Sequence, residues 1–205
     1  RSRGLGDVYK RQILENELQL ASFADSVICV SEQEKTAFVD HGMERVFELG
    51  HVLATSSPSD DFDSRSGILF VGAIYGDMTS NADAVLWFVK EIFPRIRKVL
   101  GSNVVLSVVG HNESDQVRSL ASDKVLILGA VDDLSKHYEQ NRIFIAPTRF
   151  AAGIPHKIHE AAAHGIPVVA TPILADQLKW KAGKELAVGD NVDEFASRIP
   201  FYVPP

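Results

Sequence analysis

Lys157 and Glu160 are the residues of this chain best suited to chemistry on a ligand, because of what surrounds them. They lie in the stretch 147–172, PTRFAAGIPHKIHEAAAHGIPVVATP. A short apolar strand at 143–146 runs into Pro147, and a loop of small residues follows (Ala151, Ala152, Gly153). A helix is expected from near Pro155 to Gly165, and Pro167 opens another strand. Proline suits a first helical turn, where its missing N–H has no intrahelical partner to lose. Small residues let backbone come close to a ligand. The free N–H groups of a helix start, with the positive end of the dipole behind them, favour an anion. Lys157 adds a full charge in that turn, and Glu160, three residues on, shares roughly the same face. One cation and one carboxylate there suit a nucleoside diphosphate, Lys157 for a phosphate and Glu160 for a ribose diol. The same pair is equally readable as a solvated surface pair, worth roughly a few tenths of a kcal/mol.

Other motifs are weaker. HEAAAH at 159–164 looks like a zinc helix, but its histidines are five residues apart and so about 140° around a helix, where a zinc pair needs i and i+4. No metal is expected, and His159 reads as packing or surface. His156, in the helix entry, is the better donor to a ligand oxygen. There is no G-x-G-x-x-G, and Gly183-Lys184 lacks the upstream glycine of a Walker loop, since Leu178 stands there. No G-x-S-x-G elbow occurs, which disfavours a serine hydrolase. Gly110-His111-Asn112 reads as a turn before a nucleotide contact, and Trp87 and Trp180 as packing before base stacking.

The elements that must position Lys157 and Glu160 alternate regularly. Strands are expected at 68–71, 104–109, 125–128, 143–146, 168–170 and 186–188, with helices between them. Ser80 is expected to cap a long helix that Pro94 kinks or breaks near Phe93, and Asp132 to cap one through Tyr138. Continuous apolar strands joined by helices mean an α/β fold with a parallel sheet covered on both faces. Six of them predict a doubly wound, Rossmann-like sheet of order 3-2-1-4-5-6. Its crossover direction changes between the first and fourth strands, and ligands bind outside the strand C-termini at that point. The loops there are 72–80, beginning at Gly72, and 147–156, so fold and local chemistry select one crevice.

Upstream lies a partial αβ unit: a helical stretch at 13–23, a strand at 27–30, and a helix opened by the capping box Ser31-Glu32-Gln33-Glu34. Residues 1–12 are expected to be a non-native leader, 13–53 the remnant of a first domain, 54–66 a linker, 67–199 the second domain and 200–205 a truncated tail. The whole reads as a piece of a longer protein.

Composition bounds the function. The chain has 205 residues, 45% of them hydrophobic and 23% charged, an ordinary globular mixture. A net charge of −6 with scattered basic residues disfavours nucleic acid as a partner. The single cysteine, Cys29, lies in an apolar strand and reads as a buried structural thiol. No apolar run approaches a spanning helix or a signal-peptide core, so a cytoplasmic location is expected.

GIPHKIHEAAAHGIPVVAT resembles the donor-site signature of family 4 glycosyltransferases, which have the GT-B fold. ILFVGAIYGDMTSNADAVLWFVKEIFPRIRKV and LSVVG resemble the first strand, loop, helix and second strand of the same C-terminal domain, and ADSVICVSEQE the last strand and helix of the acceptor-side domain. The resemblance covers about 67–199. It implies a hexosyltransferase that uses a nucleotide-diphosphate sugar and a hydroxyl acceptor (a sugar, a lipid-linked sugar or a polysaccharide), retains the anomeric configuration, needs no cofactor, and allows peripheral membrane association. The donor would be held by Gly72, Arg149, Ala152, Gly153, Ile154, His156, Lys157, Glu160 and Asp176; no general base is assignable. Two departures stand out. The family's Glu-x7-Glu pair has Ala152 in place of its first acid, and the loop 73–79 carries no Arg or Lys, which leaves the diphosphate to Arg149 and Lys157. The departures keep open a non-catalytic nucleotide-sugar module. A nucleotide-sugar epimerase of the same fold and a ligand-free interaction domain are further alternatives.

Overall fold

A computed structural model describes residues 12, 14–50, 53–55, 62–150 and 155–202. The chain divides into two compact units, Arg1–Val52 and Leu53–Pro205. Most of the expected leader, the middle of the expected linker and the last residues of the tail lie outside the described residues.

In the first unit residues 14–21 form helix α1. Strands β1 (Val27–Cys29) and β2 (Val46–Glu48) pair in parallel, joined through α2 (Glu32–Asp40). The Ser31 hydroxyl accepts from the Glu34 N–H at 3.2 Å, and the Glu34 carboxylate accepts from the Val30 N–H at 3.0 Å. That is a capping box whose return bond lands one residue early. Cys29 is buried, its thiol 3.4 Å from the Phe47 carbonyl.

The second unit is built on six parallel strands: β3 (Ile68–Val71), β4 (Leu106–Val109), β5 (Val125–Gly129), β6 (Ile143–Ala146), β7 (Val168–Ala170) and β8 (Ala187–Val188). Their order is β5-β4-β3-β6-β7-β8, the doubly wound order expected from the alternating pattern. Every residue of β3, β6 and β7 is buried, as a sheet covered on both faces requires. Alternation along β3 divides the core. Ile68 and Phe70 pack with Phe88, Ile92 and Phe195 on one face, and Leu69 and Val71 with Tyr138, Phe144 and Ile158 on the other. Each fully buried side chain of this size contributes about 1.5–3 kcal/mol.

The helices are α3 (Ser80–Trp87), α4 (Phe93–Leu100), α5 (Asp115–Arg118), α6 (Ser135–Gln140), α7 (His156–Ala163), α8 (Pro172–Leu178) and α9 (Val192–Arg198). Three expectations are corrected. Thr79, not Ser80, caps α3: its hydroxyl accepts from the Ala82 N–H at 3.3 Å. Asp132 does not cap α6, whose N-cap is Leu134; the neighbouring Asp133 carboxylate accepts from the Ser135 N–H at 2.9 Å. Pro94 does not break the helix at Phe93. It sits in the first turn of α4, and a π-helical turn at Phe88–Ile92 joins α3 to α4. The wider turn absorbs the hydrogen bond that proline cannot donate.

β3 and β4 end in close contact. Gly110, just past β4, has φ 135°, and a Cβ there would lie 2.4 Å from the Gly72 carbonyl oxygen. Gly110→Ala therefore combines backbone strain with a clash against main chain. It is expected to destabilise the second unit by at least about 1–3 kcal/mol, read as a lower denaturant midpoint with an unchanged slope.

Candidate functional site

The crossover direction reverses between β3 and β6, and the residues flanking that point form the site. Gly72 follows β3, and a Cβ on it would lie 2.9 Å from the Asn81 side-chain nitrogen. Without one, Asn81 in the first turn of α3 folds back over the end of β3. Its Nδ2 donates to the Ala73 carbonyl at 2.8 Å. Its Oδ1 accepts from the Lys157 ammonium at 2.9 Å. Lys157 comes from α7, beyond β6, so this bond ties together both sides of the reversal. The ammonium lies 4.6 Å from the centroid of the Phe70 ring, within cation–π range. Burial pushes the Lys157 pKa down to about 8, because a desolvated ammonium prefers to lose its proton.

Arg149, in the loop after β6, reaches the same helix. Its Nε donates to Asp83 Oδ2 at 2.9 Å, its Nη2 donates to Asp83 Oδ1, and the guanidinium lies 5.3 Å from the Trp87 ring centroid. The hydrogen bonds from Arg149 to Asp83 raise its pKa. Gly72, Lys157 and Arg149 thus gather about α3, with Lys157 on a neutral amide and Arg149 on a carboxylate.

Glu160 has a different neighbour. It accepts from the Tyr138 hydroxyl at 3.2 Å, and Tyr138 is buried on α6, its ring stacked 4.7 Å from His164. Burial, reinforced by the Glu160 carboxylate, pushes the Tyr138 phenol pKa up. Lys157 and Glu160 share α7 but serve different contacts, and neither makes the solvated surface pair. His156 and Asp176 are exposed, the first opening α7 and the second on α8. Ala152, Gly153 and Ile154 lie outside the described residues. α7 begins after Pro155 as its N-cap, a residue whose side chain makes no capping hydrogen bond.

Three contributors carried no signal strong enough to be singled out. Asn81 sits in an ordinary Thr-Ser-Asn helix opening, Tyr138 on a short helix. Thr148 is buried, and its hydroxyl meets no partner among the described residues, while its carbonyl accepts from the Thr171 hydroxyl. The two histidines of HEAAAH contact different aromatic rings, His159 that of Trp180 at 5.4 Å and His164 that of Tyr138. Among the described residues no cluster of His, Cys, Asp or Glu could hold a metal ion, and no helix is long and apolar enough to cross a membrane.

The family model "Glycosyl transferases group 1" matches residues 65–201. The chain belongs to this family. A curated relative, described as an uncharacterized 44.6 kDa protein in the cps region of Klebsiella pneumoniae, is 24% identical over 153 residues, covering 70% of this chain and 39% of its own length. Of the solved structures, TarM of S. aureus superposes with a TM-score of 0.71 at 16% identity over 93% of this chain and 38% of its own. Anabaena HepE, solved with UDP and glucose, gives 0.66 at 19% identity over 92% of this chain and 56% of its own. At these identities the structural likeness speaks for the shared fold. The chain spans about two-fifths of the length of the curated relative and of TarM.

In this member of the family the Lys157 ammonium is expected to titrate near its depressed value of about 8. The Asn81 amide oxygen supports the charged form. Asn81→Leu should therefore lower the Lys157 pKa further, as followed by NMR of the lysine side chain. An unchanged midpoint in the variant contradicts that role for Asn81.

Proposed function

We propose that the chain is the donor-binding part of a cytoplasmic glycosyltransferase that moves a hexose from a nucleotide-diphosphate sugar to a hydroxyl acceptor. The acceptor would be a sugar, a lipid-linked sugar or a polysaccharide. The observation that carries this reading is the Lys157 ammonium, held by Asn81 at the reversal of the sheet and in the first turn of α7.

The chemistry needs a group that stabilises a leaving diphosphate. As the bond from the anomeric carbon to the diphosphate oxygen breaks, its electron pair stays with that oxygen and negative charge grows there. Lys157 and the positive end of the α7 dipole would meet that charge in a partly desolvated place, where fixed donors are most effective. His156 would donate to a phosphate or sugar oxygen. Glu160, oriented by the Tyr138 hydroxyl, would accept from a ribose diol. Gly72, by leaving room for the Asn81 amide, would keep Lys157 in place for the donor. Asp176 would meet the sugar or ribose from α8. The small loop with Ala152, Gly153 and Ile154 would let backbone approach the phosphates. Retention of configuration rests on the family resemblance.

Arg149 is the weakest of these assignments, because Asp83 already balances its charge. That pairing, with the absent acid at Ala152 and the cation-free loop 73–79, favours a second reading: a nucleotide-sugar module without transfer. Donor hydrolysis and transfer assayed on the full-length protein separate the two.

Calorimetric titration with UDP, GDP and ADP tests the site itself. At least one should bind, and Lys157→Ala should weaken it about 10- to 100-fold, the cost of a charged hydrogen bond. Glu160→Ala should weaken nucleotide but not inorganic diphosphate. Wild-type affinity in both variants removes the assignment. Affinity should also fall as pH rises through about 8, because Lys157 loses its charge there. Binding that stays flat across that range excludes Lys157 as the phosphate cation.

A further inference from the structure

The opposite end of the sheet carries a feature that the donor reading does not use. A cavity of about 430 Å³ opens between α4, the turn at Ser102 and the start of β5 at Val125. It flanks the strand N-termini, whereas the donor crevice flanks their C-termini. Arg97, Lys98 and Lys124 line it, and no Asp or Glu is among its described lining residues. The Arg97 Nε is buried and makes no hydrogen bond. Its guanidinium lies 5.9 Å from the Phe93 ring centroid. The Lys124 ammonium has only a long contact, 3.8 Å, to the exposed Asp123. The hydroxyl of Ser122 accepts from the Lys124 and Val125 N–H groups at 3.3 and 3.1 Å, which leaves its own proton to donate into the cavity. Phe93 and Leu120 supply an apolar wall.

A buried guanidinium nitrogen without an acceptor costs about 1–3 kcal/mol or more. The Nε is closed off from the cavity, so a ligand would meet Arg97 through its Nη atoms, beside Lys98 and Lys124. We infer that this cavity binds a phosphate ester with an apolar body, independently of the nucleotide crevice. A phosphate monoester is small enough to fit and carries enough charge for Arg97 and Lys124 together. Arginine and lysine are the usual phosphate donors, and the Ser122 proton adds a third contact. The organic half of the ester would lie on Phe93 and Leu120. The volume falls in the ordinary range of small-ligand sites, about 300–1,000 Å³. The phosphate could be that of a soluble metabolite or of a lipid headgroup, and the chemistry at Arg97 is the same.

The test uses phenyl phosphate, inorganic phosphate, and phosphatidylcholine vesicles with and without phosphatidic acid, each with the full chain. Phenyl phosphate should bind, and more tightly than inorganic phosphate, since only the ester meets the apolar wall. Arg97→Gln and Lys124→Gln should each weaken it by about tenfold or more, while UDP affinity stays at the wild-type value. Sedimentation with phosphatidic acid vesicles that Arg97→Gln abolishes assigns the phosphate to a lipid; binding of phenyl phosphate without sedimentation assigns it to a soluble ester. Lys98→Gln, at an exposed position that folding does not depend on, should reduce binding in the same assay. Failure of the wild-type chain to bind both phenyl phosphate and the acidic vesicles overturns the inference. So does binding that Arg97→Gln and Lys124→Gln leave intact.

Discussion

The Asn81 side chain joins three pieces of the second unit: the carbonyl after β3, the first turn of α3, and the lysine of α7. Its position depends on Gly72. Any side chain there would displace an amide whose two hydrogen bonds already fix it. The backbone below is equally constrained, since Gly110 packs against the Gly72 carbonyl at a distance that admits no Cβ. Gly72 thus makes room for the polar bridge that spans the reversal of the sheet, and Gly110 lets the end of β4 lie against the backbone beneath it. The fold's layered packing supplies the rest, with α3 on one face and α7 on the other.

That bridge also decides which cation is available. Lys157 is held by a neutral amide over an aromatic face, in a place that penalises its charge. On the proposed reading an incoming phosphate would relieve that penalty. Arg149 has the opposite history. Asp83 satisfies it in a two-bond pairing, and a phosphate would have to compete for it. Charge counted along the sequence treats the two residues as equals; their partners separate them.

The layered fold was legible because strands buried on both faces must be continuously apolar, and β3, β6 and β7 are. The strand order followed from the regular alternation of six strands with helices. What stayed hidden has a common cause. Caps depend on a choice between adjacent hydroxyls or carboxylates that local sequence barely distinguishes. Thr79 was chosen over Ser80, and Asp133 serves a nearby N–H where Asp132 does not. Asn81 and Tyr138 act through residues 76 and 22 positions away, and no periodicity encodes such a pairing. Pro94 signalled an irregular helix correctly in kind, but the strain moved one turn upstream into the π-helical segment.

A parallel sheet of this kind is polar in the literal sense: its two ends offer different chemistry. At the C-terminal end, helix N-termini and small loops present backbone N–H groups, so a few side-chain charges suffice for an anion. At the N-terminal end no helix start faces the ligand, and an anion must be met by side chains alone. The distribution of basic residues agrees with that difference. The proposed nucleotide crevice has Lys157 on a neutral partner, Arg149 on a carboxylate and a loop without cations. The opposite cavity carries Arg97, Lys98 and Lys124 without a carboxylate among its described lining residues. Sparse charge at the first end is therefore no mark against phosphate binding there, and dense charge at the second is what the same task would require without backbone help.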